Sequence, residues 1–203
     1  MKSIKFDDCN KLWFTSDTHF DHAAIIDYCE RPFTDEADMN RNLASNWNEV
    51  VKPDDIIFIL GDFSFGKRDT WCWRLDHLNG HKYLIKGNHD HEGNIPIDKF
   101  AGYTEGFMDI LVKDPEIKDG QRVTLCHYPM LSWFQSHRGA WQLFGHVHGK
   151  LYNDHLAQDG FDLRGKLMPT QLDVGVDPWK FYPVSWYQVK KVITKQCLKY
   201  KGG

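Results

Sequence analysis

Ile56-Ile57-Phe58-Ile59-Leu60-Gly61-Asp62 is the stretch on which the reading of this chain turns. Five consecutive apolar residues are typical of a strand buried on both faces. The run stops at Gly61-Asp62, so a rigidly aimed carboxylate stands at its end. The pattern recurs along the chain. Leu12-Trp13-Phe14-Thr15-Ser16 leads into Asp17-Thr18-His19, and Tyr83-Leu84-Ile85 comes before Gly87-Asn88-His89-Asp90. Val123 to Leu125 leads into Cys126-His127-Tyr128-Pro129, and Trp141 to Phe144 into Gly145-His146-Val147-His148. Strand ends that converge on one sheet edge make a binding crevice. Here it would hold two Asp, one Asn and at least four His, which a pair of divalent metal ions explains economically.

Between these strands the pattern is helical. Asp21 is placed to cap a helix that starts near His22 and ends before Pro32. Thr34 or Asp35 caps a second, on which Met39, Leu43, Trp47, Val50 and Val51 form an apolar stripe. A third is predicted from about Asp69 to Leu78, closed by Asn79-Gly80. After Asp90 the chain turns hairpin-rich: Phe107 to Val112 and Val123 to Leu125 flank a turn at Asp114-Pro115-Glu116-Ile117-Lys118-Asp119-Gly120. Leu172-Asp173-Val174 reads as the last core strand. Ser185 and Gln188 make a capping box for a helix carrying Val189, Val192 and Ile193, with a frayed polar tail from Lys199. Gly149 to Thr170 has no periodicity and reads as a long surface loop beside the site. Strand–helix alternation followed by hairpins predicts a layered α/β domain with a mixed sheet or two sheets.

At 203 residues one domain over 1–203 is expected. Lys+Arg 25 against Asp+Glu 28, a net charge of -3, gives no electrostatic reason for stable nucleic-acid or membrane binding. Five scattered Cys with no C-x-x-C pair fit reduced thiols and a cytoplasmic location. Neither a secretory signal nor a membrane span is expected.

Two neighbouring dications repel, and a shared carboxylate relieves that. Asp62 is the natural bridge. Asp17 and His19, two apart, would point to one side in extended geometry and suit one ion; His146 and His148 share that spacing. Asn88 offers an amide oxygen and His127 an imidazole. Two dications, two Asp and a bridging hydroxide leave about +1, with neutral His. Such a site attracts anions and suits in-line attack on a phosphoester.

Asp17-x-His19, Gly61-Asp62, Gly87-Asn88-His89-Asp90, His127 and Gly145-His146-x-His148, in this order, resemble the motif series of the calcineurin-like metallophosphoesterase superfamily. Phe14 to Phe20, Leu60 to Phe63 and Asp173-Val174-Gly175-Val176-Asp177 are similar to small bacterial and phage members. The resemblance implies a layered β-sandwich of two mixed sheets flanked by helices. It implies Asp17, His19, Asp62 and His148 on one metal, and Asp62, Asn88, His127 and His146 on the other. It makes His89 the acid that protonates the leaving oxygen. Two departures stand out. Phe65 occupies the position of a second Asp that orients the catalytic His in many members, leaving Asp90 as a substitute orienter. The Arg that follows that Asp in serine/threonine protein phosphatases is missing, which argues against that activity.

The expected activity is hydrolysis of phosphomono- or phosphodiesters, nucleotides among them. The expected ions are two manganese, with iron, zinc, nickel or cobalt compatible with the same donors. The alternative is a non-catalytic metal-binding scaffold of the same fold; such scaffolds tend to lose the catalytic His, and His89 is kept. A closed structural zinc site would call for Cys-rich ligands, which are lacking. His22 either faces the pocket or starts a helix. His137 and Arg138 follow a ligand motif and are candidate substrate contacts, against the default of a polar loop. Cys126 reads as core packing, as do Trp47, Trp71 and Trp73.

Overall fold

The computed structural model describes residues 3–150 and 167–201. Ten strands form two five-stranded sheets. The first holds β2 (Leu12–Thr15), β3 (Ile56–Ile59), β4 (His81–Ile85), β5 (Gly102–Thr104) and β10 (Val184–Ser185), in the order β10-β2-β3-β4-β5. Only β10 runs antiparallel, against β2. The second holds β1 (Ile4–Phe6), β6 (Phe107–Val112), β7 (Gln121–Cys126), β8 (Trp141–Phe144) and β9 (Gln171–Asp173), in the order β1-β6-β7-β8-β9. The predicted hairpin is β6–β7, in register from Phe107 opposite Cys126 to Val112 opposite Gln121. The expected pair of mixed sheets flanked by helices is what the chain forms.

The two sheets face each other across one apolar core. Leu12, Phe14 and Phe58 from the first meet Ile110, Val112, Val123, Leu125, Leu143 and Leu172 from the second. The alternate residues of β3, Ile57 and Ile59, point outward and pack with Leu84 against Met39, Leu43 and Trp47 of α2 (Glu36–Val50) and Trp71 and Leu75 of α3 (Arg68–His77). So β3 is apolar on both faces because both are covered. At about 25 cal/mol per Å² of apolar surface, each such Ile or Phe contributes roughly 1.5–3 kcal/mol. The final helix, α4 (Trp186–Lys201), adds Trp186, Val189 and Ile193 to the inter-sheet core.

Local chemistry sets the ends. The Asp35 carboxylate accepts from the Asp38 N–H and caps α2. Ser185 and Gln188 cap α4 reciprocally through their side chains and backbone N–H groups. Several expectations are corrected. The helix near His22 shrinks to α1 (Ala24–Tyr28), and Asp21 does not cap it. Its carboxylate instead accepts from Asn40, Ser64 and Arg74, pinning the loop after β2 to α2 and α3. Helix α4 continues through Lys201 rather than fraying at Lys199. Trp73 is 56% exposed, stacked on His77, whereas Trp47 and Trp71 are buried. Strands β1, β5 and β10 were not predicted. Most of the expected loop from Gly149 to Thr170 lies outside the described residues. No helix among the described residues is long and apolar enough to cross a membrane.

Candidate metal centre

Each candidate ligand stands just past the C-terminal end of a strand: β2, β3, β4, β7 or β8. The sheets meet there. Ser16, one residue past β2, bridges Gly175, two residues past β9, and accepts the Val176 N–H through its carbonyl. Two triads result, each with its donor atoms within 4.8 Å of one another: Asp17, His19 and His148, and Asp62, His127 and His146. Asp62 lies between them. Its Oδ2 is 3.6 Å from His19 Nε2 and 3.4 Å from His127 Nε2, while its Oδ1 accepts the His89 backbone N–H at 2.8 Å. Asn88 joins the second triad, with Oδ1 2.8 Å from His127 Nε2.

The backbone reaches this arrangement by a route other than the expected one. Asp17, His19, Asp62, His146 and His148 have φ of 55°, 50°, 53°, 71° and 49°. They are left-handed, not extended, and it is this alternating left-handed loop that turns both members of each pair inward. Asp and His tolerate the region better than most residues, at a cost. Glycines allow the loops to close on one another. A Cβ on Gly87 would come within 2.2 Å of Asp62 Oδ1, and one on Gly145 within 2.0 Å of Ser16 Oγ.

The donors suit a dication. Burial, opposed only in part by the Asp62 charge, drags the His19 pKa to about 2, so its ring is neutral. His19 Nε2 is buried without a hydrogen-bond partner in the protein, an arrangement that a cation at that atom would satisfy. Burial also raises the Asp17 carboxyl above its ordinary value, and both its oxygens accept the His146 N–H at 2.9–3.0 Å. At Asp62 burial is overcome by the bond and charge of His127, and the pKa falls to about 2. Burial lowers His146, and would lower His127 but for Asp62, whose hydrogen bond and charge raise it on balance. His127 Nδ1 lies 2.7 Å from the Leu60 carbonyl and donates to it, which aims Nε2 at Asn88 and Asp62.

Among the remaining candidates, His22 faces the site. Its Nδ1 is 3.2 Å from His19 Nδ1, and its ring stacks on Phe65 at 3.7 Å. Phe65 in turn lies 5.1 Å from the His89 ring, so aromatic contact stands where an orienting carboxylate was looked for. Asp90 does not fill that role: its oxygens accept the N–H groups of Asp62, Phe63 and Gly87. It fastens two ligand loops together, and burial lifts its pKa to about 6. His137 and Arg138 are not brought to the centre. They form a turn just before β8, and Arg138 lines a groove with Leu111, Asp119 and Gln121 at the start of β7, the end opposite His127. Because β7 and β8 run parallel, the loop leaving His127 must return to the far edge before β8 can begin. Cys126 is buried, as expected of core packing, and burial pushes its thiol up.

Sequence reading missed Asp177 and Arg31. His148 Nδ1 is 2.8 Å from Asp177 Oδ2, and Arg31 grips both oxygens of Asp177. The only signal was the Asp173 to Asp177 block, already singled out as familiar.

Fold and donor set together define a class: an α/β sandwich whose strand ends carry metal-ligating side chains. The chain belongs to the calcineurin-like phosphoesterase family, whose model matches residues 10–150. It is 34% identical over 190 residues to an uncharacterised protein of Methanocaldococcus jannaschii, covering 91% of this chain and 92% of that one. It is 28% identical to the gene 66 protein of Mycobacterium phage D29, over 84% of this chain and 89% of the relative. The crystal structure of a protein of unknown function from Aquifex aeolicus shares the fold, with a TM-score of 0.67 at 23% identity, over 89% of this chain and 98% of that one.

Proposed function

We propose that this protein is a dinuclear metal-dependent phosphoesterase acting on phosphomono- or phosphodiesters, nucleotides among them. The observation that carries the reading is Asp62 Oδ2, flanked by imidazole nitrogens of two donor triads at 3.4 and 3.6 Å. Asp17, His19, Asp62 and His148 would hold one ion, and Asp62, Asn88, His127 and His146 the other. Manganese is the proposed ion, with iron, zinc, nickel or cobalt suited to the same donors. Two such cations would supply a water of lowered pKa and positive charge for the phosphoryl oxygens.

The chain's own residues do the rest. His89 is tied through its backbone N–H to Asp62, and its ring lies beside the centre, 5.6 Å from the His19 ring and 5.1 Å from that of Phe65. From there it gives a proton to the leaving oxygen. Donation from His19 Nδ1 to His22 Nδ1 would leave His19 Nε2, which faces Asp62, open to an ion. Five scattered cysteines without a C-x-x-C pair are in keeping with a cytoplasmic setting.

The test is an activity grid on chelator-stripped protein, crossing divalent metals with aryl mono- and diesters and with cyclic and linear nucleotides. Hydrolysis should vanish on stripping and return with Mn²⁺ or a similar ion. Full activity in demetallated protein would sink the assignment, and metal uptake without turnover of any ester would favour a scaffold.

A further inference from the structure

We propose that Arg31 and Asp177 are positioning residues for one of the two ions, the one that Asp17, His19 and His148 face. The inference rests on the metal reading above and adds residues to it that touch neither ion nor substrate.

The pair is built into the protein interior. The Arg31 side chain is fully buried and that of Asp177 is 11% exposed. Arg31 Nε donates to Asp177 Oδ1 at 2.9 Å and Nη2 to Oδ2 at 3.0 Å, a two-pronged match of planar groups. The same guanidinium donates to the carbonyl of Asp17 at 2.7 Å and to that of Thr18 at 3.0 Å. One side chain therefore holds the left-handed Asp17–His19 loop, which carries two of the three donors. Through Asp177 it also reaches the third, since Asp177 Oδ2 accepts from His148 Nδ1 at 2.8 Å. That bond leaves Nε2 as the nitrogen able to bind metal and fixes the plane of the ring.

Among the described residues Arg31 makes no direct bond to the other triad and reaches it only through Asp17, which accepts the His146 N–H, and through backbone bonds of the Asp17–His19 loop to Gly61 and Asp62. His127 is set by the Leu60 carbonyl, and the Asp62 loop by Asp90. The direct supports of the two ions thus differ, and loss of this pair should be felt chiefly on one side. Cys29 also lies within 4.8 Å of His148 and Asp177. The positive charge of Arg31 against Asp177 argues against a cation among those three, and the pair acts as a brace.

The test counts and weighs ions. Purified full-length protein is stripped and titrated with Mn²⁺ followed by electron paramagnetic resonance and calorimetry, for the wild type, Asp177→Asn, Asp177→Ala and the double variant Arg31→Met/Asp177→Leu. Melting of the metal-free proteins is recorded alongside. A buried ion pair can often be replaced whole by apolar groups without loss of stability, so the double variant separates folding from metal binding. Wild type should bind two ions. Each variant should bind one with wild-type affinity and the other roughly 10–100-fold more weakly, the usual effect of removing a ligand's supporting partner. The double variant should do so while melting close to the wild type. Two ions held at wild-type affinity in all variants would overturn this inference and leave the phosphoesterase reading intact. Equal weakening of both ions would overturn the one-sided role. No metal uptake by the wild type would overturn both.

Discussion

Changing Asp62 to Asn would probe the centre at the atom shared by its two halves. In the wild type Oδ2 has imidazole nitrogens at 3.4 and 3.6 Å, and Oδ1 is held by the His89 N–H at 2.8 Å. An amide of the same shape can keep the second bond through its oxygen, so the loops should stay in place. What changes is the atom between the triads, from a carboxylate oxygen to an N–H₂ group. A carboxylate about 4 Å from a dication is worth about 8 kcal/mol at an effective dielectric near 20. If desolvation offsets three quarters of that, about 2 kcal/mol remains, roughly thirtyfold in affinity for each ion at 1.4 kcal/mol per tenfold. Asn88→Ala, by contrast, removes a neutral oxygen from one side. After equilibration near the wild-type dissociation constant, elemental analysis should find both ions depleted in Asp62→Asn and one retained in Asn88→Ala. As great a loss in the Asn88 variant would refute the shared role of Asp62. Metal-free protein offers a second readout. The folded Asp62 pKa is about 2 against 3.8 for the free side chain, a depressed value. Its stabilisation is therefore present above pH 3.8 and lost as pH falls through 2. At 1.36 kcal/mol per unit this is about 2 kcal/mol, so metal-free Asp62→Asn should be less stable by that amount at pH 7, with the gap closing in acid.

His89→Ala should keep both ions and lose 10²–10⁴-fold on esters with basic alkoxide leaving groups, but far less on p-nitrophenyl esters; a flat penalty across the series would refute its role as acid. Gly145→Ala places a Cβ 2.0 Å from Ser16 Oγ and 2.4 Å from Asp17 Oδ2, so it should cost about 1–3 kcal/mol in thermal or urea melts and weaken metal uptake. Gly106→Ala, with open space around it, is the control that should do neither. Burial pulls the His148 pKa down, but the bonds to Asp177 and Cys29 and the charges of Asp17 and Asp177 together more than offset it and the value rises to about 10. In metal-free protein the stabilisation from this group is complete below pH 6.5 and lost as pH rises through 10. Because metal must displace its proton, calorimetry between pH 6 and 8 should show affinity at that site rising about tenfold per unit, with one proton released; a pH-independent affinity would contradict this.

The elements legible in the sequence are those where local pattern and tertiary environment agree. The apolar run from Ile56 to Leu60, which forms β3 and its exit, is covered on both faces, and the pair Ser185 and Gln188 suffices to make a cap. The candidate donors were legible because each follows such a strand and their order is distinctive. What was not legible depends on long-range pairing. β1 has three residues, of which Ile4 is 42% exposed, and exists because Ile4 to Phe6 align with Ile110 to Val112. Arg31 and Asp177 are separated by 146 positions, and no local signal couples them. Asp21 looked like a helix cap because Asp is a good one, yet Arg74 and Asn40 bid for the same carboxylate from distant helices. The left-handed turns at Asp17 and His19 were missed because alternation along a chain suggests extended backbone, and the loops that pack on Asp17, at Gly145 and Gly175, are distant in sequence.

Those left-handed ligands bear on how such a site can decay. Five positions there, Asp17, His19, Asp62, His146 and His148, are occupied by side chains in a backbone region where glycine would be at ease. Each non-glycine residue so held stores on the order of 1 kcal/mol or more. Glycine at these places would relieve that strain but would also delete the bonds the side chains make, from Asp17 to the His146 N–H, from Asp62 to the His89 N–H and from His148 to Asp177. The strain of the centre is therefore met in part by the bonds of the very side chains that carry it, so the strained backbone and the donor set stand or fall together.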